Sequence, residues 1–254
     1  MSSRLRAFGL HVLGSAAVLT LVLELLYLGW YRWPGWYLAS VLHVVGIVVM
    51  VDLVMGPALT LIVASPTKPL SVLARDIAVI VTVQLAALAY GTVTLWSGRP
   101  LYYAFSVNSL ECVQASDIDK SEAALALRQN PSFAPHWYSL PRWIWAPLPD
   151  DPDKAMHIIN DASFGSGKDV VDMPRYFKPW AQGLPKLRDQ LTKLDDMTYL
   201  NNKEKEYLHS RLARAGLEPD QRNSLIMWGG SRRLVAIFDP ATLHIRVFMI
   251  PDVS

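Results

Sequence analysis

Ala7-Phe-Gly-Leu-His-Val-Leu-Gly-Ser-Ala-Ala-Val-Leu-Thr-Leu-Val-Leu-Glu-Leu-Leu-Tyr-Leu-Gly-Trp30 is the stretch from which the rest of the chain is read. It carries a single charged side chain, Glu24. A helix rises ~1.5 Å per residue and a bilayer's hydrocarbon core is ~30 Å thick, so about 20 mostly apolar residues suffice to cross it. Two further runs, 36–64 and 77–96, meet the same requirement. The reading is an α+β membrane protein: a three-helix transmembrane bundle over 1–96, then a separate domain over 97–254. The mean hydropathy of +0.21 agrees with it.

The first run is followed by Arg32 and Trp33. Bulky aromatics stand where signal peptidase needs small residues, so the first helix is expected to remain as an anchor. Positive charge then sets the orientation. Arg4 and Arg6 precede the first span and Lys68 and Arg75 lie between the second and third, whereas the first loop has only Arg32. The expected topology is N-terminus cytoplasmic and C-terminal domain outside, which in a Gram-negative cell means an inner-membrane protein with a periplasmic domain. The aromatics support the same orientation. Trp30, Trp33, Trp36 and Tyr37 crowd the first loop and Trp96, Tyr102 and Tyr103 follow the third span. All of them are expected at the outer interface, where amphipathic rings favour the headgroup level.

Four polar groups are singled out inside the spans: Glu24, His43, Asp52 and Gln84. Each is costly in hydrocarbon unless paired or turned towards the bundle interior. Counting from the span ends puts Glu24 and His43 at matched depth in the outer part, and Asp52 and Gln84 near the middle. Two helix-pairing contacts are therefore expected, Glu24 with His43 and Asp52 with Gln84, each worth about 0.6–2 kcal/mol. A docking surface for another membrane helix is the alternative use of these groups. Gly56-Pro57 is expected to kink the second span.

The 158 residues from Ser97 hold 19 Lys plus Arg against 19 Asp plus Glu. No basic face accumulates, which argues against nucleic acid as a partner. The single cysteine, Cys112, cannot close an internal disulfide and reads as a buried small hydrophobe. Patterning predicts one or two strands over 101–114 turning at Asn108, and a helix over 119–128 capped by Asp119. The Pro- and Trp-rich stretch 131–152 reads as an irregular loop. Helices follow from Asp151-Pro152 to a stop at Gly165, over 185–194, and over 203–215 with Asn202 before it and Gly216 after. The tail, 224–228, 233–238 and 243–250, predicts an antiparallel β-meander turning at Gly229-Gly230 and Asp239-Pro240.

Catalytic signals are scarce. Gly165-Ser-Gly-Lys168 lacks the first glycine and the Ser/Thr of a phosphate loop, having Ala162 and Asp169 at those positions. Asp150, Asp151 and Asp153 lack the spacing of a calcium loop and read as a turn with a helix cap. His136 and His157 have no companions at metal-ligand spacing. No metal, no cofactor and no catalytic residue is expected. Trp137, Trp143 and Trp145 are either core or a partner-binding face, where Trp is enriched.

Several stretches are similar to the type IV pilin accessory proteins of the TfpX/TfpZ kind. They are Leu26-Tyr-Leu-Gly-Trp-Tyr-Arg-Trp-Pro34, Gly56-Pro-Ala-Leu-Thr-Leu-Ile-Val63, Arg75-Asp-Ile-Ala78, Tyr90-Gly-Thr-Val-Thr94 and Gly98-Arg-Pro-Leu-Tyr-Tyr-Ala-Phe105. The resemblance is closest in the membrane half and brings no catalytic residues with it. It implies an inner-membrane protein, non-enzymatic and chaperone-like, whose partners are membrane lipid and its cognate major pilin. The competing class is a membrane-anchored enzyme that modifies pilin or another envelope substrate.

Overall fold

The computed structural model describes residues 3–64, 68–164, 167–218, 221–239 and 242–250. The chain divides into two compact units, Met1–Arg99 and Pro100–Ser254.

In the first unit, among the described residues, three helices are long and apolar enough to cross a membrane: Leu5–Gly29, Leu42–Val63 and Ser71–Ser97. The first belongs to α1 (Ser3–Gly29) and the third to α5 (Leu70–Ser97). The second differs from the single run expected over 36–64. It begins as a short helix, α2 (Gly35–Leu38), and Ser40 at φ +54° sits in the left-handed region that ends it. The crossing helix starts only afterwards as α3 (Leu42–Val49). It widens into a π-helical turn, Met50–Met55, and resumes as α4 (Gly56–Val63) with Pro57 in its first turn. The interruption expected at Gly56-Pro57 is thus a wide turn just before the proline.

One end of this unit is aromatic. Trp30 packs edge-on against Trp96 with ring centroids 4.8 Å apart, and the Tyr31 hydroxyl donates to the carbonyl of Leu95 at 2.5 Å. Trp33 lies 5.9 Å from Trp36 and 6.1 Å from Tyr37. Tyr102 and Tyr103, expected in this belt, are instead buried strand residues of the second unit. Distance from the span suggested the belt; in their strand the two point to opposite faces, and both faces are covered.

The second unit is built on a curled mixed sheet of seven strands among the described residues, in the order β4-β3-β1-β2-β5-β6-β7. β1 (Pro100–Ser106) is buried on both faces, as its run of Leu, Tyr, Tyr, Ala and Phe requires. It pairs antiparallel with β2 (Ser109–Gln114) and parallel with β3 (Arg142–Trp145). α6 (Lys120–Gln129) starts at Asp119, whose carboxylate accepts the amide of Glu122 at 2.8 Å. α7 (Pro152–Phe164) starts where expected, with Asp151 capping the amide of Asp153. Its expected stop, Gly165, and Ser166 lie outside the described residues.

β4 (Lys178–Pro179) is a two-residue edge strand, where proline costs no ladder bond. α8 (Trp180–Gln190) begins five residues before the position expected, with Pro185 inside it. α9 (Asn202–Arg214) is capped by Asn201, one residue before the cap expected, with Glu204 completing a capping box. The chain closes with β5 (Ser224–Gly229), β6 (Arg232–Phe238) and β7 (Ile245–Met249), an antiparallel meander. Of its second expected turn, Pro240 lies outside the described residues. One core gathers Tyr102, Ala104, Ile144 and Phe177, and another packs Leu208 and Leu212 of α9 on Ile226, Val235 and Ile237. Cys112 is buried.

Candidate functional site

The π-helical turn leaves one backbone carbonyl without its usual donor. The amide of Gly56 bonds the carbonyl of Val51, five residues back. Pro57 has no N–H. The carbonyl of Asp52 therefore receives neither the donor an α-turn would supply nor the one a π-turn would. A buried orphan carbonyl is expensive, and Gln84 on α5 fills the vacancy: its Nε2 donates to the Asp52 carbonyl at 3.0 Å. Gly56 makes this approach possible, because a Cβ there would fall 2.1 Å from Gln84 Nε2.

Fixing that nitrogen fixes the rest of a network. Gln84 Oε1 faces His11 Nε2 at 2.7 Å, and a carboxamide oxygen can only accept, so Nε2 carries the hydrogen. His11 Nδ1 lies 2.6 Å from the hydroxyl of Thr60, which donates to it when the ring is neutral. Ser15 Oγ stands 3.5 Å from Gln84 Nε2. Asp52 and Gln84 are almost fully buried, at 4% and 7% exposure. One oxygen of the Asp52 carboxyl, Oδ1, has no hydrogen-bond partner among the described residues. Beside this network lies a cavity of about 510 Å³, lined by a stripe of α1 that includes Gly14, Ser15 and Val18 and a stripe of α5 that includes Val81 and Gln84, with Asp52 in its wall.

Asp52 and Gln84 are thus brought together, though through the backbone of one and not its carboxyl. His11 and Thr60, the other members, were not singled out in the sequence. Their signal was there: polar side chains inside apolar runs, each four residues from a run end. Glu24 and His43 are not brought together. Both are exposed, and no hydrogen bond or ion pair joins them among the described residues. Depth was matched but azimuth was not. α1 buries Leu19 and Leu26, α3 buries Val48, and the two polar residues lie off those stripes.

In the second unit, Trp143 and Trp145 are packing residues and not a free face. They point to one side of β3, beside Tyr103 of β1, and α8 covers them. Trp143 lies 5.0 Å from the ring of Tyr103 and 5.3 Å from that of Trp180. Gly183 of α8 sits so close over Trp145 that a Cβ would come within 2.6 Å of the indole. Trp137 differs. It is 73% exposed, with Tyr138 and Leu140 also exposed, on a loop whose His136 ring stacks on Tyr138 at 5.2 Å. The loop is held from within by the Ser139 hydroxyl, which accepts the His136 amide at 2.9 Å.

Other charged groups of the second unit form ion pairs and caps. Lys168, from the stretch that resembles a phosphate loop, meets the carboxylate of Asp119 and holds that carboxyl below the usual range. Glu122 pairs with Arg175 at 3.1 Å, and Asp169 and Asp172 form a capping box around Val170. His157 lies 3.3 Å from Asp161. Burial, reinforced by the Asp169 charge, pushes Glu111 up to about 7. Burial likewise pushes Asp172 to about 6. Among the described residues, no group of three or more His, Cys, Asp or Glu could hold a metal.

No protein-family model matches the chain, and no solved structure matches it. Curated relatives do. The chain is 26% identical over 217 residues to a fimbrial assembly protein, serogroup I, of Dichelobacter nodosus, covering 84% of this chain and 81% of the relative. The same figures hold for the serogroup E1 fimbrial assembly protein of that organism. A third, of serogroups C1 and C2, is 29% identical over 110 residues, which is 43% of this chain and 84% of the relative.

Proposed function

We propose that this chain is a non-catalytic, chaperone-like accessory protein of fimbrial assembly, akin to the TfpX/TfpZ pilin accessory proteins. It is held in the bacterial inner membrane by its three apolar helices, with the N-terminus cytoplasmic and the C-terminal domain periplasmic. Its partner is the cognate major type IV pilin, whose stability, assembly or pilus dynamics it assists. The observation that carries this reading is the match along 84% of the chain to fimbrial assembly proteins. The three apolar helices support it. A partner-binding role also agrees with the chemistry of the chain, whose polar clusters are caps, ion pairs and a helix-joining network. The exposed Trp137, Tyr138 and Leu140 offer the large rigid side chains that protein contacts favour. Two weak contacts, one in the membrane and one outside, would reinforce each other through effective concentration.

The test is deletion of the gene in its own host, with pilin recovered from the surface by shearing and normalised to total pilin. Surface pilin and twitching are expected to fall, with the mass of pilin unchanged. Normal surface pilin would remove the assembly role. A shift in pilin mass would put a modifying enzyme in its place.

A further inference from the structure

We propose that the cavity between α1 and α5 is the docking slot for a transmembrane helix of the partner, and that this helix donates a hydrogen bond to the carboxyl of Asp52, which lines the cavity. The identity of the partner as pilin rests on the function proposed above; the slot and its chemistry rest on the geometry alone.

The slot has the dimensions of a helix contact. Its wall on α1 runs from Ala7 to Val18 and its wall on α5 from Ile77 to Leu88. Twelve residues of helix on each side extend about 17 Å, or three turns. Its rims carry exposed apolar side chains, Leu10 and Val18 on one side and Leu85 on the other. In a bilayer these face lipid. At the base stands a carboxyl at 4% exposure, one oxygen of which has no hydrogen-bond partner among the described residues. Asp52 lies halfway along its span Leu42–Val63. Acyl chains bring no hydrogen-bond donor to that depth, and water is scarce there. A lipid occupant fills the slot and brings the carboxyl no donor. A protein helix can do both, with one amide, hydroxyl or amino side chain at the level of Asp52.

The α1 wall is also shaped for close approach. A Cβ added at Gly14 would meet nothing within 4 Å, so the space in front of the glycine is open. Small residues at such positions let helix backbones come together. The His11–Gln84–Thr60 network holds the floor in place and consumes its own donors and acceptors internally. Asp52 is the one acidic side chain among the residues that line the cavity.

A photoreactive residue introduced in the full chain, in the native host, tests this. Val18 and Val81 line the slot; Leu13 and Val83 are exposed at similar depth on other faces. Adducts with pilin, identified by antibody, are expected from Val18 and Val81 and not from Leu13 or Val83. Asp52→Leu, which removes the acceptor, should lower adduct yield about tenfold, while Asp52→Asn, which keeps an oxygen there, should stay within about twofold. If Asp52→Leu fails to accumulate, Gly14→Leu decides: it fills the slot from its open side, leaves the internal packing alone, and should lower the yield by a similar factor. Equal adducts from all four positions overturn the slot, as do adducts only with lipid, with a second copy of this chain or with another protein. So does a yield that Gly14→Leu leaves unchanged. If deletion of the gene lowers surface pilin but no slot position captures it, the slot fails and the assembly role stands. If deletion changes nothing, it is the assembly role that fails.

Discussion

Gln84 substitutes for a backbone donor that proline cannot supply, and that single fact organises the buried polar groups of the first unit. Gln84→Leu would orphan both the Asp52 carbonyl and the His11 N–H. Leaving a buried group unsatisfied costs about 1–3 kcal/mol, and unfolding of the purified protein in mixed micelles should shift by that amount. Gly56→Ala should act in the same direction, because the new methyl would displace the carboxamide it now admits. A second residue-scale expectation concerns pH. Glu111 ordinarily titrates at 4.5 and is raised to about 7, and Asp172 is raised from 3.8 to about 6. A carboxyl raised on folding binds its proton more tightly in the native state, so its contribution is present at low pH and lost as pH rises through the folded value. The thermal midpoint of the second unit should therefore be higher at pH 5 than at pH 7.5, and Glu111→Gln should flatten that slope. Asp119, held low by Lys168, acts in the opposite sense but only below pH 3.8, outside this window. None of these values could be read from the sequence, where Glu111 is one acid among nineteen in its domain. The Asp119 and Asp151 caps could, because capping is decided within three residues.

Elements differ in how far their own sequence decides them. β5, β6 and β7 fall within two residues of the bounds expected, since alternation and turn residues are local signals. β3 went unseen. Four residues among prolines carry no period, and the strand exists because β1 offers it a parallel partner from Tyr102–Arg142 to Phe105–Trp145. That pairing also settles the tryptophans: it turns Trp143 and Trp145 beneath α8 and leaves Trp137 on the loop before. The two groups should separate by experiment. Trp143→Ala should destabilise the second unit by about 3 kcal/mol, through lost contacts with Tyr103 and Trp180. Trp137→Ala should move stability by less than about 0.5 kcal/mol. In cells at matched expression, Trp137→Ala combined with Tyr138→Ala should lower sheared pilin while the protein level holds. Unchanged pilin would exclude the loop as a contact. The second span teaches the opposite lesson about hydropathy. Its run is continuous in composition, yet Ser40 and the turn at Met50–Met55 divide it, because backbone conformation and proline chemistry do not register in an apolar average.

At the scale of the whole molecule, the orientation inferred from Arg and Lys can be tested directly. Alkaline phosphatase fused after Ser97 or at Ser254 should be active, and fused at Lys68 inactive; the reverse pattern would place the C-terminal domain in the cytoplasm and overturn the contact with exported pilin that we propose. By itself, the sequence determined that three apolar helices precede an α+β domain closed by a meander. Length, hydropathy and period suffice for that, since each is a property of neighbouring residues. Only the tertiary structure decided which polar groups meet. Counting along a helix gives depth, but azimuth depends on how the helices pack. So Glu24 and His43, equal in depth, stay apart, while His11, Thr60 and Gln84, up to 73 residues apart in the chain, share one network. The same holds for the sheet, whose order sets β1 between β2 and β3 and packs Trp143 against Tyr103. Long-range pairing is settled by the mutual burial of distant segments, and no window of sequence contains it.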